Sequence, residues 1–140
     1  MDYAIRWMTI DDYDEVFALW KASEGIGLSA ADEREAIARF LQHNPGLAFV
    51  ARAGTELAGA VMVGNDGRRG YLYHLAVSPN HQRRGLGRAL VERCLSALGE
   101  RGIHKCHIFV YAGNQSGKAF WEKAGFYTRP ELVIMSHDVP

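Results

Sequence analysis

The residues best placed to do chemistry lie in the run Val77-Ser78-Pro79-Asn80-His81-Gln82-Arg83-Arg84-Gly85-Leu86-Gly87-Arg88-Ala89-Leu90. An apolar segment of strand length ends there at a proline turn. Two arginines and two alternate glycines follow, and then an apolar stripe of helical spacing begins. Gly85 and Gly87 let the backbone approach a ligand closely or take a turn that other residues resist. The first turn of a helix directs unpaired N–H groups and about half a positive charge outward, which suits anions and phosphates above all. Arg83, Arg84 and Arg88 add side-chain positive charge. The chemistry expected of this segment is binding of a pyrophosphate between the loop and the helix. It is not a Walker loop, because GK[ST] is missing. It is not the dinucleotide fingerprint either, because the third glycine is absent and the preceding strand comes from a hairpin. A tight helix start flanked by solvated arginines is the reading that spacing alone leaves open.

The elements that must position this loop follow from periodicity. Tyr3–Met8 alternates and reads as a short strand. Thr9 and Asp12 have capping-box spacing, and Tyr13, Val16, Phe17 and Trp20 form the stripe of an amphipathic helix. Ser29 and Asp32 repeat the capping pattern before a second helix with Ile37, Phe40 and Leu41 inward, ended by Asn44-Pro45. Leu47–Ala53, Leu57–Val63 and Gly70–Val77 are strands joined by turns at Gly54 and at Asn65-Asp66-Gly67, an antiparallel meander. Gly85–Arg101 is helical, His104–Tyr111 a strand, Gln115–Lys123 a short helix, and Leu132–Asp138 a last strand. The order β-α-α-β-β-β-α-β-α-β predicts an α/β fold with a mixed, mostly antiparallel central sheet and helices on both faces. No repeat or linker divides the chain, so residues 1–140 are expected to form one domain.

Composition narrows the function classes. The chain has 140 residues, 48% of them hydrophobic and 23% charged, as in ordinary globular proteins. Lys and Arg number 16 and Asp and Glu 16, so there is no basic surplus of the kind that drives nucleic-acid binding by counterion release. Nucleic acid is not an expected partner. Neither a membrane span nor a secretory signal is seen, and a membrane partner is not expected. With only Cys94 and Cys106, a cytoplasmic protein with reduced thiols is the default. The histidines form no HxxxH or HExxH pair, so no metal is expected.

Gln82-Arg83-Arg84-Gly85-Leu86-Gly87 resembles the Q/R-x-x-G-x-G/A motif of the GNAT superfamily of acetyl-CoA-dependent N-acetyltransferases. A second block, Asn114 followed by Ala119-Phe120-Trp121-Glu122-Lys123-Ala124-Gly125-Phe126, is similar to that family's N…(F/L)YEK-x-GF ending. The order of elements and the length also suit a small single-domain bacterial member. The resemblance implies that acetyl-CoA is co-substrate and that the strand ending at Val77 splays from the strand 104–111. It implies that backbone groups of Leu75, Ala76 and Val77 pair with the pantetheine arm. The N–H groups from Arg83 through Ala89, with Gln82 and Leu86 in the same motif, would hold the diphosphate. Asn114 would contact pantetheine, and the helix carrying Trp121 would lie along the cofactor. The implied reaction is direct transfer of an acetyl group to a primary amine of a small molecule or an exposed protein amine, through a tetrahedral intermediate.

Such a transfer needs a polarised acetyl carbonyl, for which a backbone N–H near Leu75 is the oxyanion donor expected. It also needs a neutral amine, which at pH 7 is on the order of one in a thousand for a Lys-type group. A base must therefore take a proton. The family's tyrosine acid falls at Trp121, which has no acidic proton to give. The carboxylate bases of two branches of the family fall at Phe109 and near Tyr71. Tyr73 remains as an organiser of a water chain and Tyr111 as an alternative acid, although half-buried strand tyrosines are common structural residues. By period-two counting His74 points to the opposite sheet face, where it reads as a satisfied core or surface histidine rather than a base. The acceptor is expected between the loop Ser23–Ser29 and the hairpin Asp66–Arg69, with Glu24 and Asp66 for an ammonium and Trp20 as a wall. A core position for Trp20 is the competing reading. A non-catalytic acyl-CoA sensor is the alternative function. Many members of the family pair, so a homodimer is a further expectation.

Overall fold

The computed structural model describes residues 2–140. The elements are β1 (Ala4–Trp7), α1 (Tyr13–Lys21), α2 (Arg34–His43), β2 (Ala48–Ala53), β3 (Glu56–Asn65), β4 (Gly70–Val77), α3 (Leu86–Glu100), β5 (Cys106–His107) and α4 (Gln115–Lys123). Short 3-10 turns at Ile10–Asp12, Ala30–Asp32 and Pro79–His81 lead into α1, α2 and the loop before α3. The sheet order is β1-β2-β3-β4-β5. Its first four strands pair antiparallel, whereas β5 returns parallel to β4 after the α3 crossover.

Both sheet faces are covered, which is why the strands read as nearly continuous apolar runs. Along β2, Phe49 and Ala51 join the α3-side core with Leu72, Leu90, Val91 and Leu98. Ala48 and Val50 join the opposite core with Val16 and Trp20 of α1 and Ile37 of α2. Removing each large side chain of this kind from water contributes about 1.5–3 kcal/mol. Close approach of α3 depends on small residues in the sheet. A Cβ built at Gly59 would stand 3.1 Å from both the Ala76 carbonyl oxygen and a Leu90 methyl.

The two capping patterns form as the spacing predicts. The Thr9 N–H donates to Asp12 at 2.9 Å. The Ser29 N–H donates to Asp32 Oδ2 at 3.0 Å, and the Ala31 N–H to Ser29 Oγ at 3.2 Å. Asp12 also receives Arg6 at 2.7 Å and Arg52 at 2.9 Å, tying β1 and β2 to the start of α1.

The end of the chain departs from expectation. Leu132–Asp138 has strand periodicity but forms no strand, because a strand exists only with a partner ladder. Val133 and Met135 remain 88% and 92% exposed. The strand expected at 104–111 contracts to Cys106–His107 for the same reason. Its pairing with β4 stops at Tyr71↔His107, and the two strands part beyond it.

Candidate active site

The parting of β4 and β5 leaves the edge of β4 beyond Tyr71 without a ladder partner on that side. Leu75, Ala76 and Val77 lie on this open stretch. An exposed strand edge of this kind can take an extended ligand as an added strand. Gln82 caps its end, donating from Nε2 to the Val77 carbonyl at 3.0 Å.

The β4 strand itself is irregular at the same point. Its register with β3 runs Ala60↔Ala76 and then Met62↔Tyr73, so His74 and Leu75 together oppose Val61. The bulge is made by His74, whose φ is +55°. A left-handed residue other than glycine costs on the order of 1–3 kcal/mol and persists where its surroundings hold it. Here they do. His74 Nε2 lies 2.8 Å from Asp32 Oδ1, and its ring packs edge-on to Trp20 with centroids 4.9 Å apart. A bulge takes a residue out of the ladder and re-aims the neighbouring side chains. Period-two counting places His74 opposite Tyr73, but the bulge turns both toward α1 and α2. The position assigned to His74 from sequence is thereby corrected.

The mouth of α3 is built from two left-handed residues, Arg83 at φ +63° and Gly85 at φ +79°. Gly85 is the residue preceding the helix, and no side chain caps the first-turn N–H groups. No acidic residue stands in that turn. Arg83, Arg84 and Arg88 are exposed around it. Arg88 Nε sits 3.6 Å from Glu92. Leu86 anchors the turn in the core, and Gly87 and Ala89 are partly covered. A Cβ at Gly87 would meet the Phe120 ring at 3.4 Å, so α4 packs directly beside the mouth. The donor set is amides and guanidinium groups next to an unpaired strand edge. It fits a diphosphate followed by an extended, amide-bearing arm.

Asn114 starts α4, accepting the Gly117 N–H at 2.9 Å through its side-chain oxygen. Trp121 packs against Phe120 and Phe126, each with ring centroids at 5.1 Å, and closes the α3-side core next to Leu75 and Val77. The loop after α1 comes down on this region. A Cβ at Gly27 would overlap the Tyr111 hydroxyl, and one at Gly25 would lie 2.9 Å from Asn114 Nδ2. The structure therefore brings Tyr111 and Asn114 together under the glycine loop. Tyr111 is 62% exposed.

Tyr73 lies on the other side, edge-on to Phe40 of α2 at 6.0 Å and stacked on Tyr71 at 6.4 Å. Burial, and then the neighbouring Tyr71, pushes its phenol above the ordinary range, so it holds its proton at neutral pH. Trp20 is fully buried in the core of α1. Glu24 is exposed in the loop after α1. Asp66 is also exposed and caps its own hairpin, accepting the Arg68 and Arg69 N–H groups at 2.8 Å each. Those bonds, that of Arg69 foremost, lower its carboxyl below the usual range. The three residues expected at the acceptor are thus not gathered into one cavity. A cavity of ≈ 290 Å³ opens instead among Ala31, Asp32, Ile37, Phe40, Met62, Tyr73 and His74. Of its polar residues besides Tyr73, His74 belongs to no motif in the sequence. Asp32 is marked there only by its capping spacing with Ser29.

A meander whose fourth strand diverges from a parallel fifth, with a glycine-arginine helix mouth at the divergence, defines an acyltransferase-type fold. The chain matches the model of the acetyltransferase (GNAT) family over residues 11–126, and it belongs to that family. It is 32% identical to an acetyltransferase of Sodalis glossinidius over 94% of this chain and 92% of that one. Among solved structures, it resembles PaiA N-acetyltransferase of Thermoplasma acidophilum, determined in complex with coenzyme A. That likeness has a TM-score of 0.80 at 20% identity, over 92% of each chain. It also resembles Ard1 of Thermoplasma volcanium, with a TM-score of 0.80 at 20% identity, over 91% of this chain and 84% of that one.

Proposed function

We propose that this chain, as one N-acetyltransferase domain, transfers an acetyl group from acetyl-CoA to a primary amine. The observation that carries the reading is the uncapped, acid-free mouth of α3 beside the open edge of β4. Bound acetyl-CoA supplies the acetyl group as an activated thioester. The N–H groups between Arg83 and Ala89 hold the diphosphate, with Arg83, Arg84 and Arg88 around it. Leu75, Ala76 and Val77 pair through their backbone with the pantetheine arm, and Gln82 fixes the end of that strand. Asn114 orders the start of α4 along the arm, and Trp121 is an apolar wall beside it.

A backbone N–H released at the bulge near Leu75 donates to the acetyl oxygen as charge develops there. Preorganised donors of this kind are worth about 2.7–4 kcal/mol each. Tyr73 keeps its proton and orders water in the cavity. Tyr111, under the glycine loop, returns a proton to the departing sulfur in this reading. Thiolate is a tolerable leaving group near neutral pH even without such an acid, which accommodates tryptophan at position 121. The test is release of free thiol from acetyl-CoA in the presence of a panel of primary amines. Amine-dependent thiol release and an acetylated product are expected. Acetyl-CoA binding with no turnover on any amine would contradict the transferase reading.

The exposed apolar tail, with Leu132, Ile134 and Val139 at 60%, 65% and 88% accessible, is suited to pairing with a second copy of the chain. A homodimer is the assembly that follows.

A further inference from the structure

Resting on the acetyltransferase reading, we infer that the cavity between β4 and α2 receives the acceptor amine and that His74, oriented by Asp32, takes its proton. The cavity's walls decide the class of acceptor. Ile37, Phe40, Met62 and Tyr73 are apolar or aromatic, while Asp32 and His74 supply the polar end. A primary amine carried on an apolar or aromatic body fits both. A polycation fits only the polar end.

The dyad has the geometry of an oriented imidazole base. Asp32 is buried, with its side chain 8% exposed, and its Oδ2 is engaged by the Ser29 N–H. Its Oδ1 faces His74 Nε2 at 2.8 Å. A carboxylate can only accept, so Nε2 carries the ring proton and Nδ1 keeps its lone pair. Among the described residues the bond to Asp32 is the ring's only hydrogen bond. Tyr13 locks the backbone of the same turn, donating from its hydroxyl to the Asp32 carbonyl at 2.6 Å. The ring is thus fixed in one tautomer by a buried carboxylate, the arrangement that lets an imidazole act as a base. His74 immediately precedes Leu75, so the bulge that frees the oxyanion donor also turns the imidazole into the cavity.

The amine nitrogen forms a bond to the acetyl carbon as the carbon–sulfur bond breaks. The proton lost by the nitrogen goes to His74 Nδ1. The electron pair of the broken bond leaves on sulfur as thiolate, which takes its proton from Tyr111; His74 then releases the amine proton to solvent and Tyr111 regains one, so the proton count closes. The ionisable groups facing His74 are Asp32 from the turn before α2 and Tyr73 on its own strand. From α1 the neighbour is Trp20, which does not titrate in this range.

The experiment compares the full chain with His74→Gln and Asp32→Asn, using 2-phenylethylamine and spermidine as acceptors. Acetyl-CoA affinity is measured in parallel by calorimetry. For His74→Gln, kcat with 2-phenylethylamine is expected to fall by at least about a hundredfold. Acetyl-CoA affinity should stay within about twofold, since His74 lies outside the diphosphate seat. The wild-type chain should favour 2-phenylethylamine over spermidine by at least about tenfold in kcat/KM. Unchanged kcat in His74→Gln, or preference for spermidine, overturns the inference while leaving the transferase reading intact. Nitrogen-15 NMR of the ring gives a readout independent of turnover. It should report the Nε2–H tautomer, a shift on adding 2-phenylethylamine, and mixed tautomers in Asp32→Asn. An Nδ1–H tautomer, or a ring untouched by the amine, contradicts the inference. Retention of the Nε2–H form in Asp32→Asn removes Asp32 from its positioning role.

Discussion

Replacing Gly87 with glutamate separates binding from folding at the mouth of α3. A Cβ at this position would stand 3.4 Å from the Phe120 ring and 3.7 Å from a Val77 methyl, which is ordinary contact. Glycine inside a helix costs up to about 1 kcal/mol relative to better formers, and an acidic side chain in a first turn gains about 0.3–1 kcal/mol. The variant should therefore melt no lower than the parent chain. A diphosphate seated on the same turn meets a carboxylate instead of bare amides. One unit charge about 4 Å from another costs on the order of 4 kcal/mol near a protein surface, which is about a thousandfold in affinity. Calorimetric titration with acetyl-CoA should show a loss of at least about a hundredfold, with Gly87→Ala falling between the two. Unchanged acetyl-CoA affinity in a folded Gly87→Glu protein would refute the placement of the diphosphate.

Three further outcomes follow from the structure. Burial acts to raise the Asp12 carboxyl, but Arg6, the Thr9 N–H and Arg52 outweigh it and hold the group down at about 2. The folded value lies below the unfolded one. The resulting stabilisation of about 2 kcal/mol is therefore full above about pH 5 and is lost as pH falls toward 2; Asp12→Asn should flatten that part of a stability-against-pH curve measured by denaturant melts. Burial raises the thiols of Cys94 and Cys106 to about 12 and about 11, so an aromatic disulfide reagent at pH 8 should label neither in the native chain and both in denaturant. Removal of residues 130–140 should convert a sedimenting dimer to a monomer of unchanged fold; a full-length monomer at micromolar concentration would exclude the tail as a dimer contact.

The glycine-arginine mouth of α3 was legible because it is one contiguous segment. Turn residue, arginines, glycines and helical stripe are all local signals, and Gly85 takes the left-handed conformation that its position requires. The helix starts at Thr9 and Ser29 were legible for the same reason. His74 was not legible, because its place depends on a bulge. Strand counting assumes that each residue reverses face, and a single left-handed residue in β4 breaks the count. The partner that stabilises the bulge, Asp32, lies 42 positions away and advertises only its capping role. The end of the chain differs in the opposite sense. Leu132–Asp138 has the pattern of a strand, but alternation says nothing about whether a partner edge is within reach. Trp20 shows how one stripe can serve two readings. Its spacing with Val16 and Phe17 marks an inward helix face, and only packing reveals that the ring fills the core behind His74.

The most direct measurement is a crystal structure of the chain soaked with CoA. Diphosphate density is expected against the amides between Arg83 and Ala89, with the pantetheine arm running along Val77, Ala76 and Leu75 toward His74. Density for the same compound at another surface, with the mouth of α3 filled by the protein's own side chains, would contradict it.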